Sequence, residues 1–144
     1  MPLITRSAIV PYSVEQMFAL VNNISAYPEF IPGCIASRVL AQHGCELTAE
    51  MNISKAGISK SFTTHNIIKK NKSIMMDLVE GPFSSLVGDW RFIQLSDDVS
   101  QVELYLNFEL KNKFLDITLG KIFQEIANGM VMAFTRRAKE VYSA

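Results

Sequence analysis

His65, Asp77 and Asp89 are the side chains best suited to acid–base chemistry, because each falls inside a strand-like run. A carboxyl group buried in an apolar cavity has a raised pKa and can act as an acid. The contexts argue against that use. His65 shares its parity with Ser59, Ser61 and Thr63, which marks a solvated strand face. For Asp77 and Asp89 an outward or salt-bridged side chain is the commoner state. Ser84 and Ser85, in Gly81-Pro82-Phe83-Ser84-Ser85, are turn residues with no sequence context that would activate a nucleophile. The chain has no Gly-rich phosphate loop and no His-Glu-x-x-His pair. Cys34 and Cys45 with His43 and His65 make a poor metal set at their spacings. These residues point to a binding protein rather than an enzyme, with no metal and no required cofactor.

Soft apolar surface is what the sequence supplies in quantity. Met51, Met75, Met76, Met130 and Met132 fall on predicted strands or the long helix, as do Phe62, Phe83, Trp90, Phe92, Phe123 and Phe134. Methionine is flexible and polarizable, so it suits the wall of a pocket that adapts to an irregular apolar ligand. A packed core would use the same residues. Trp90 carries an indole N–H that needs a partner if buried. Its parity group holds Leu86, Gly88 and Phe92, with Val87, Ile93 and Leu95 on the other parity, and either face fits an interior. Lys55, Lys60, Lys69, Lys70 and Lys72 concentrate on two adjacent strands and their loop, a local basic patch. Such a patch fits ribosomal RNA or lipid headgroups, or simply a solvated sheet face. Lys plus Arg and Asp plus Glu number 14 each, so the chain lacks the basic excess of a DNA-binding protein.

The elements that position these residues follow from periodicity. With 144 residues, 49% of them hydrophobic and 19% charged, the chain suits one domain over 1–144 and excludes the disordered classes. Residues 3–11 read as a strand, 14–21 as a short helix capped by Ser13, and 24–30 as a second helical piece stopped by Pro28 and Pro32. Strands are predicted over 35–42, 46–55, 58–69, 73–80, 85–95 and 101–110, separated by hairpin-length breaks, seven strands in meander order. The alternation is cleanest where Leu47, Ala49, Met51 and Ile53, and again Val102, Leu104, Leu106, Phe108 and Leu110, share a face. From 114 to 142 the period becomes about 3.6 residues, a helix. One apolar stripe is Leu115, Leu119, Ile122 and Ile126, and the other is Phe123, Met130, Phe134 and Val141. Asn112 is its candidate cap, with Asp116 near the start. A curved antiparallel sheet wrapped around one long C-terminal helix gives an α+β, helix-grip fold with two short helices after the first strand. No run approaches a membrane span and no secretory leader opens the chain, so a cytoplasmic protein is expected, not integral to a membrane although transient membrane contact fits it.

Three blocks carry a resemblance. Val10-Pro11-Tyr12-Ser13 with Tyr27-Pro28-Glu29-Phe30-Ile31-Pro32-Gly33-Cys34 is the first. Gly81-Pro82-Phe83-Ser84-Ser85-Leu86-Val87-Gly88-Asp89-Trp90-Arg91-Phe92 is the second, and Met130-Val131-Met132-Ala133-Phe134-Thr135-Arg136-Arg137-Ala138 the third. Together they resemble the coenzyme Q-binding and ribosome-association-toxin branch of the START-like (SRPBCC, polyketide cyclase/dehydrase) superfamily. The resemblance implies a helix-grip fold and a noncatalytic site for a hydrophobic small molecule, ubiquinone or a related isoprenoid lipid, in support of respiratory electron transport. The compact length resembles the toxin branch, which implies a second role: binding the large ribosomal subunit and blocking subunit association. On this reading Tyr27, Phe30, Pro32, Met51, Phe62, Met76, Phe83, Trp90, Leu104, Phe123, Met130 and Phe134 line the ligand site. Segments 27–32 and 81–86 flank its entrance. Lys55, Lys60, Lys69, Lys70 and Lys72 are the ribosome or headgroup contacts. Quinone-binding relatives commonly carry a Trp between Pro and Cys where this chain has Gly33 between Pro32 and Cys34.

Overall fold

A computed structural model describes residues 3–112 and 117–142. The chain forms β1 (Leu3–Val10), α1 (Val14–Asn22) and a 3-10 turn (Ile24–Glu29). It continues through β2 (Cys34–His43), β3 (Glu46–Lys55), β4 (Ile58–Lys69), β5 (Ser73–Glu80), β6 (Phe83–Ser96) and β7 (Val99–Leu110), and ends in α2 (Ile117–Tyr142). The expected helix start at 114, with Leu115 and Asp116, lies outside the described residues.

Ser13 starts α1 as its sequence suggests. Its hydroxyl accepts from the Gln16 N–H at 3.2 Å, and the Gln16 side chain accepts from the Ser13 N–H at 3.0 Å. This reciprocal cap satisfies two otherwise orphaned donors. Gln94 on β6 accepts from the Val14 N–H at 3.0 Å, so the helix start is fastened to the sheet as well.

All seven strands join one antiparallel sheet in the order β1-β7-β6-β5-β4-β3-β2. The strands from β2 to β7 run as the expected meander. β1 departs from it: α1 and the 3-10 turn carry the chain away, and β1 pairs with β7 in register from Leu3↔Asn107 to Val10↔Ser100. Register shifts interrupt β2, β4 at Thr63/Thr64, and β6 at Phe83/Ser85 and Gln94/Ser96. Extra residues of this kind bend a strand and increase its twist.

The face of β6 is now fixed. Leu86, Trp90 and Phe92 are buried, while Val87, Ile93 and Leu95 are exposed. The shift at Phe83/Ser85 brings Phe83 to the inside as well. The 26 residues of α2 span about 39 Å at 1.5 Å per residue. They bury Leu119, Ile122, Phe123, Ile126, Ala127, Val131, Ala133, Phe134 and Ala138. Val141, expected on that stripe, is exposed. The last turn is held from two sides. Tyr142 donates to the Gln16 carbonyl at 2.9 Å, and Arg137 pairs with Glu29 at 2.8 Å while its guanidinium lies 5.0 Å from the Phe30 ring centre.

Candidate apolar ligand site

The backbone of α2 approaches β1 most closely, with α1 and β7 next. Opposite, where the curved sheet carries β3, β4 and β5, room remains. A cavity of about 70 Å³ lies there. Its walls come from Ile24 and Tyr27 on the 3-10 turn, Ala49, Glu50, Met51 and Ile53 on β3, and Phe62, Thr64 and Asn66 on β4. Met76, Leu86, Trp90, Leu104 and Leu106 follow across β5, β6 and β7, and Phe123, Ile126, Ala127 and Met130 close it from α2. The space takes several water-sized groups. A longer ligand needs walls that move. Met51, Met76 and Met130 are half-buried, so the softest side chains of the lining are also those nearest solvent.

Two aromatic clusters bound the cavity. Phe62, Phe83, Phe108 and Phe123 meet edge to face, with ring centres 4.7 Å apart for Phe108–Phe123 and 4.8 Å for Phe83–Phe123. Phe134 gathers Tyr27, Phe30 and Trp90 at 5.4, 5.2 and 5.3 Å. Tyr27, Met51, Phe62, Met76, Trp90, Leu104, Phe123 and Met130 therefore stand in the lining. Phe30, Pro32, Phe83 and Phe134 do not. Phe83 and Phe134 are consumed in the clusters, Phe30 sits between Phe134 and Arg137, and Pro32 is exposed. Of segment 81–86, Leu86 reaches the lining, while Phe83 packs into its aromatic cluster.

Gly33 explains the missing aromatic. Its φ is +92°, and a Cβ there would lie 2.7 Å from Ile126 Cδ1. Glycine suits the left-handed backbone here, and its missing Cβ leaves room for the Ile126 side chain. Gly88 works similarly inside the sheet. A Cβ would lie 2.4 Å from Met76 Cε, so glycine lets the Met76 side chain fold across β6.

Besides Glu50, two buried polar residues sit among these apolar walls. Thr64 and Asn66 are 7% and 4% exposed, and the Thr64 hydroxyl donates to Asn66 Oδ1 at 2.8 Å. The sequence held the signal, since both share the parity of Phe62 and Ile68, opposite to His65. The lining residues Ala49, Ile53 and Leu106 likewise follow from alternation.

The titratable candidates lie elsewhere. His65 pairs with Glu46 at 3.0 Å and is part exposed, Asp77 is exposed, and Asp89 accepts from Arg91 at 2.7 Å. Among the described residues no group of three or more His, Cys, Asp or Glu is arranged to hold a metal ion. Burial pushes the Tyr27 hydroxyl far above its ordinary pKa, with the Cys34 thiol adding to the effect, and the hydroxyl donates to the Val21 carbonyl. Burial also raises the Cys34 thiol.

The lysines do not form one patch. Lys55 and Lys60 flank the β3–β4 hairpin, and Lys55 is paired with Glu125 of α2 at 2.5 Å. Lys69, Lys70 and Lys72 sit at the other end of β4, about 30 Å away at 3.3 Å per residue. The expected single surface is thus split, with Lys69, Lys70 and Lys72 clustered on the β4–β5 turn beside α1.

Residues 10–135 match the family model described as polyketide cyclase/dehydrase and lipid transport. The chain is 52% identical over 144 residues to the ribosome association toxin RatA of Escherichia coli strain K12, covering all of this chain and 91% of that protein. It is 24% identical over 137 residues to the mitochondrial coenzyme Q-binding protein COQ10 of Dictyostelium discoideum, covering 92% of this chain and 67% of that one. A START superfamily protein from Mycobacterium smegmatis superposes with a TM-score of 0.81 at 19% identity, over 96% of this chain and 98% of its own. The Zhui aromatase/cyclase from Streptomyces sp. R1128 superposes at 0.85 with 13% identity, over 96% and 93%. At these identities the structural likenesses establish the fold. Among the described residues, no helix is long and apolar enough to cross a membrane.

Proposed function

The chain belongs to the polyketide cyclase/dehydrase and lipid transport family, and from that membership we propose that it acts on the ribosome, binding the large subunit and opposing subunit association in the cytoplasm. The observation that carries this reading is 52% identity along the whole chain to a relative named for ribosome association. It reverses the order of the sequence reading, which put quinone binding first. The relative named for coenzyme Q stands at 24%. The Lys69, Lys70 and Lys72 turn supports the reading physically, as three exposed cations clustered at one end of the sheet suit rRNA phosphates. Sucrose-gradient profiles after overproduction test it. Assembled ribosomes should fall, free subunits should rise, and the protein should migrate with the large subunit. Unchanged profiles, with the protein at the top of the gradient, would refute it.

The cavity supports a second reading, compatible with the first. In it the chain holds a neutral apolar ligand, a quinone or another isoprenoid lipid, without transforming it, and one physiological setting for such a ligand is respiratory electron transport. Each ligand CH₂ buried contributes about 0.8 kcal/mol, and the methionine walls can yield to admit the chain. A binding role suits the polar groups present, since Thr64 and Asn66 do not titrate near neutrality and His65 and Asp77 lie away from the lining. Organic extraction of the purified protein with mass spectrometry tests this. Protein that carries no lipid and takes up no short-chain quinone would sink it.

A further inference from the structure

We propose that Asn66 and Trp90 form the recognition point of the cavity, and that they select a neutral lipid carrying a carbonyl oxygen. The inference rests on the ligand-cavity reading just given and specifies its chemistry.

Asn66 and Trp90 both line the cavity, at 4% and 1% exposed. The Asn66 side chain makes one hydrogen bond among the described residues, in which its Oδ1 accepts from Thr64. An asparagine amide has two further donors on its nitrogen, and no described protein atom accepts from them. No protein acceptor answers the Trp90 indole N–H among the described residues, and neither this nitrogen nor the Asn66 amide is among the fully enclosed side-chain atoms left unpartnered, so both border space that a ligand can reach. Donors that border a mostly apolar cavity are answered by whatever fills it. Both unanswered groups are N–H donors, while the oxygens of the Thr64–Asn66 pair already share a hydrogen bond. The complementary ligand group is an acceptor.

The charge environment narrows the acceptor. Glu50 is the lining residue that carries a formal charge, and its carboxylate is turned to Arg38 at 3.0 Å. Among the described residues no cation stands in the lining to compensate a carboxylate, and burying an unpaired charge is far costlier than burying a neutral carbonyl. A quinone, ketone or ester therefore fits, and a fatty-acid carboxylate does not. Thr64 is a positioning residue: its hydroxyl holds Oδ1 and leaves the amide nitrogen for the ligand.

Titrations of the full chain with decylubiquinone, decylbenzene and decanoate test the proposal. The first has carbonyls, the second has the same tail without them, and the third has a charged head. Wild type should bind decylubiquinone best. Asn66→Leu should weaken decylubiquinone about tenfold, the worth of one hydrogen bond, and leave decylbenzene unchanged. Trp90→Phe keeps an aromatic ring and should weaken the quinone in the same selective way. Thr64→Val should weaken it less, with Thr64→Ser restoring wild-type affinity. Thermal melts confirm that each variant is folded. Should Asn66→Leu fail to fold, Trp90→Phe and the Thr64 pair decide alone. Equal affinity of wild type for decylubiquinone and decylbenzene, tighter binding of decanoate, or quinone binding indifferent to these substitutions overturns the proposal. Wild type that binds none of the three probes overturns the ligand-cavity reading itself.

Discussion

Phe134 has no exposed surface and meets three aromatic rings, so it belongs to the packed half of the interior. Phe134→Ala should cost about 3–5 kcal/mol in denaturant melts, the range for an aromatic removed from a core. Met130, one turn earlier, lines the cavity and is half-buried. Met130→Lys should stay folded, because the amine can reach water while its stem covers apolar surface. Tyr27 gives a pH signature. Its folded pKa is raised above the ordinary 10.0, so the neutral hydroxyl is favoured on folding. The sign follows: above the unfolded pKa the unfolded chain gives up a proton that the folded chain retains, and stability falls as pH rises. Its contribution is intact below pH 10 and is lost above it; Cys34, raised from 9.0, acts in the same direction. Tyr27→Phe should lose about 1–2 kcal/mol at neutral pH, from the stranded Val21 carbonyl, and show a shallower alkaline decline. Chemical melts from pH 8 upward would read both effects.

At the scale of elements, the loop entering β2 is tied to α2 through Gly33. Gly33→Ala faces a left-handed φ and a 2.7 Å contact with Ile126, and should cost about 2–4 kcal/mol, measured by thermal or urea unfolding. Lys55→Ala should change stability by less than about 1 kcal/mol, since its pair with Glu125 is exposed. The bounds of β3, β4 and β5 were legible to the residue, and so was the alternation of β3, because hairpin breaks and period-two patterning are local signals; the shift at Thr63/Thr64 breaks that pattern in β4. The inner face of β6 was not legible, since both parities are apolar and the shift at Phe83/Ser85 changes phase. The partner of β1 was equally invisible: its pairing with β7 joins the first and last strands of the sequence, and no local pattern encodes it. Eight of the residues that the resemblance implied stand in the lining of the cavity. Phe83 and Phe134 stand behind cluster partners that do reach the cavity, an order of depth that sequence pattern does not encode. Asn66 was passed over because an apolar pocket is sought among apolar residues.

For the whole molecule, the wide separation of the lysines along β4 makes a directional expectation. Replacing Lys69, Lys70 and Lys72 together by Ala should leave the melt unchanged and weaken ribosome binding with a reduced salt dependence, whereas Lys55→Ala with Lys60→Ala should do little to either. The most direct measurement uses purified components. Small and large ribosomal subunits are mixed in magnesium buffer, and light scattering follows their association with and without the protein. The account predicts that the protein, incubated first with large subunits, slows or prevents the rise in scattering in proportion to its concentration, and that incubation with small subunits alone is less effective. A scattering rise identical with and without saturating folded protein would contradict it.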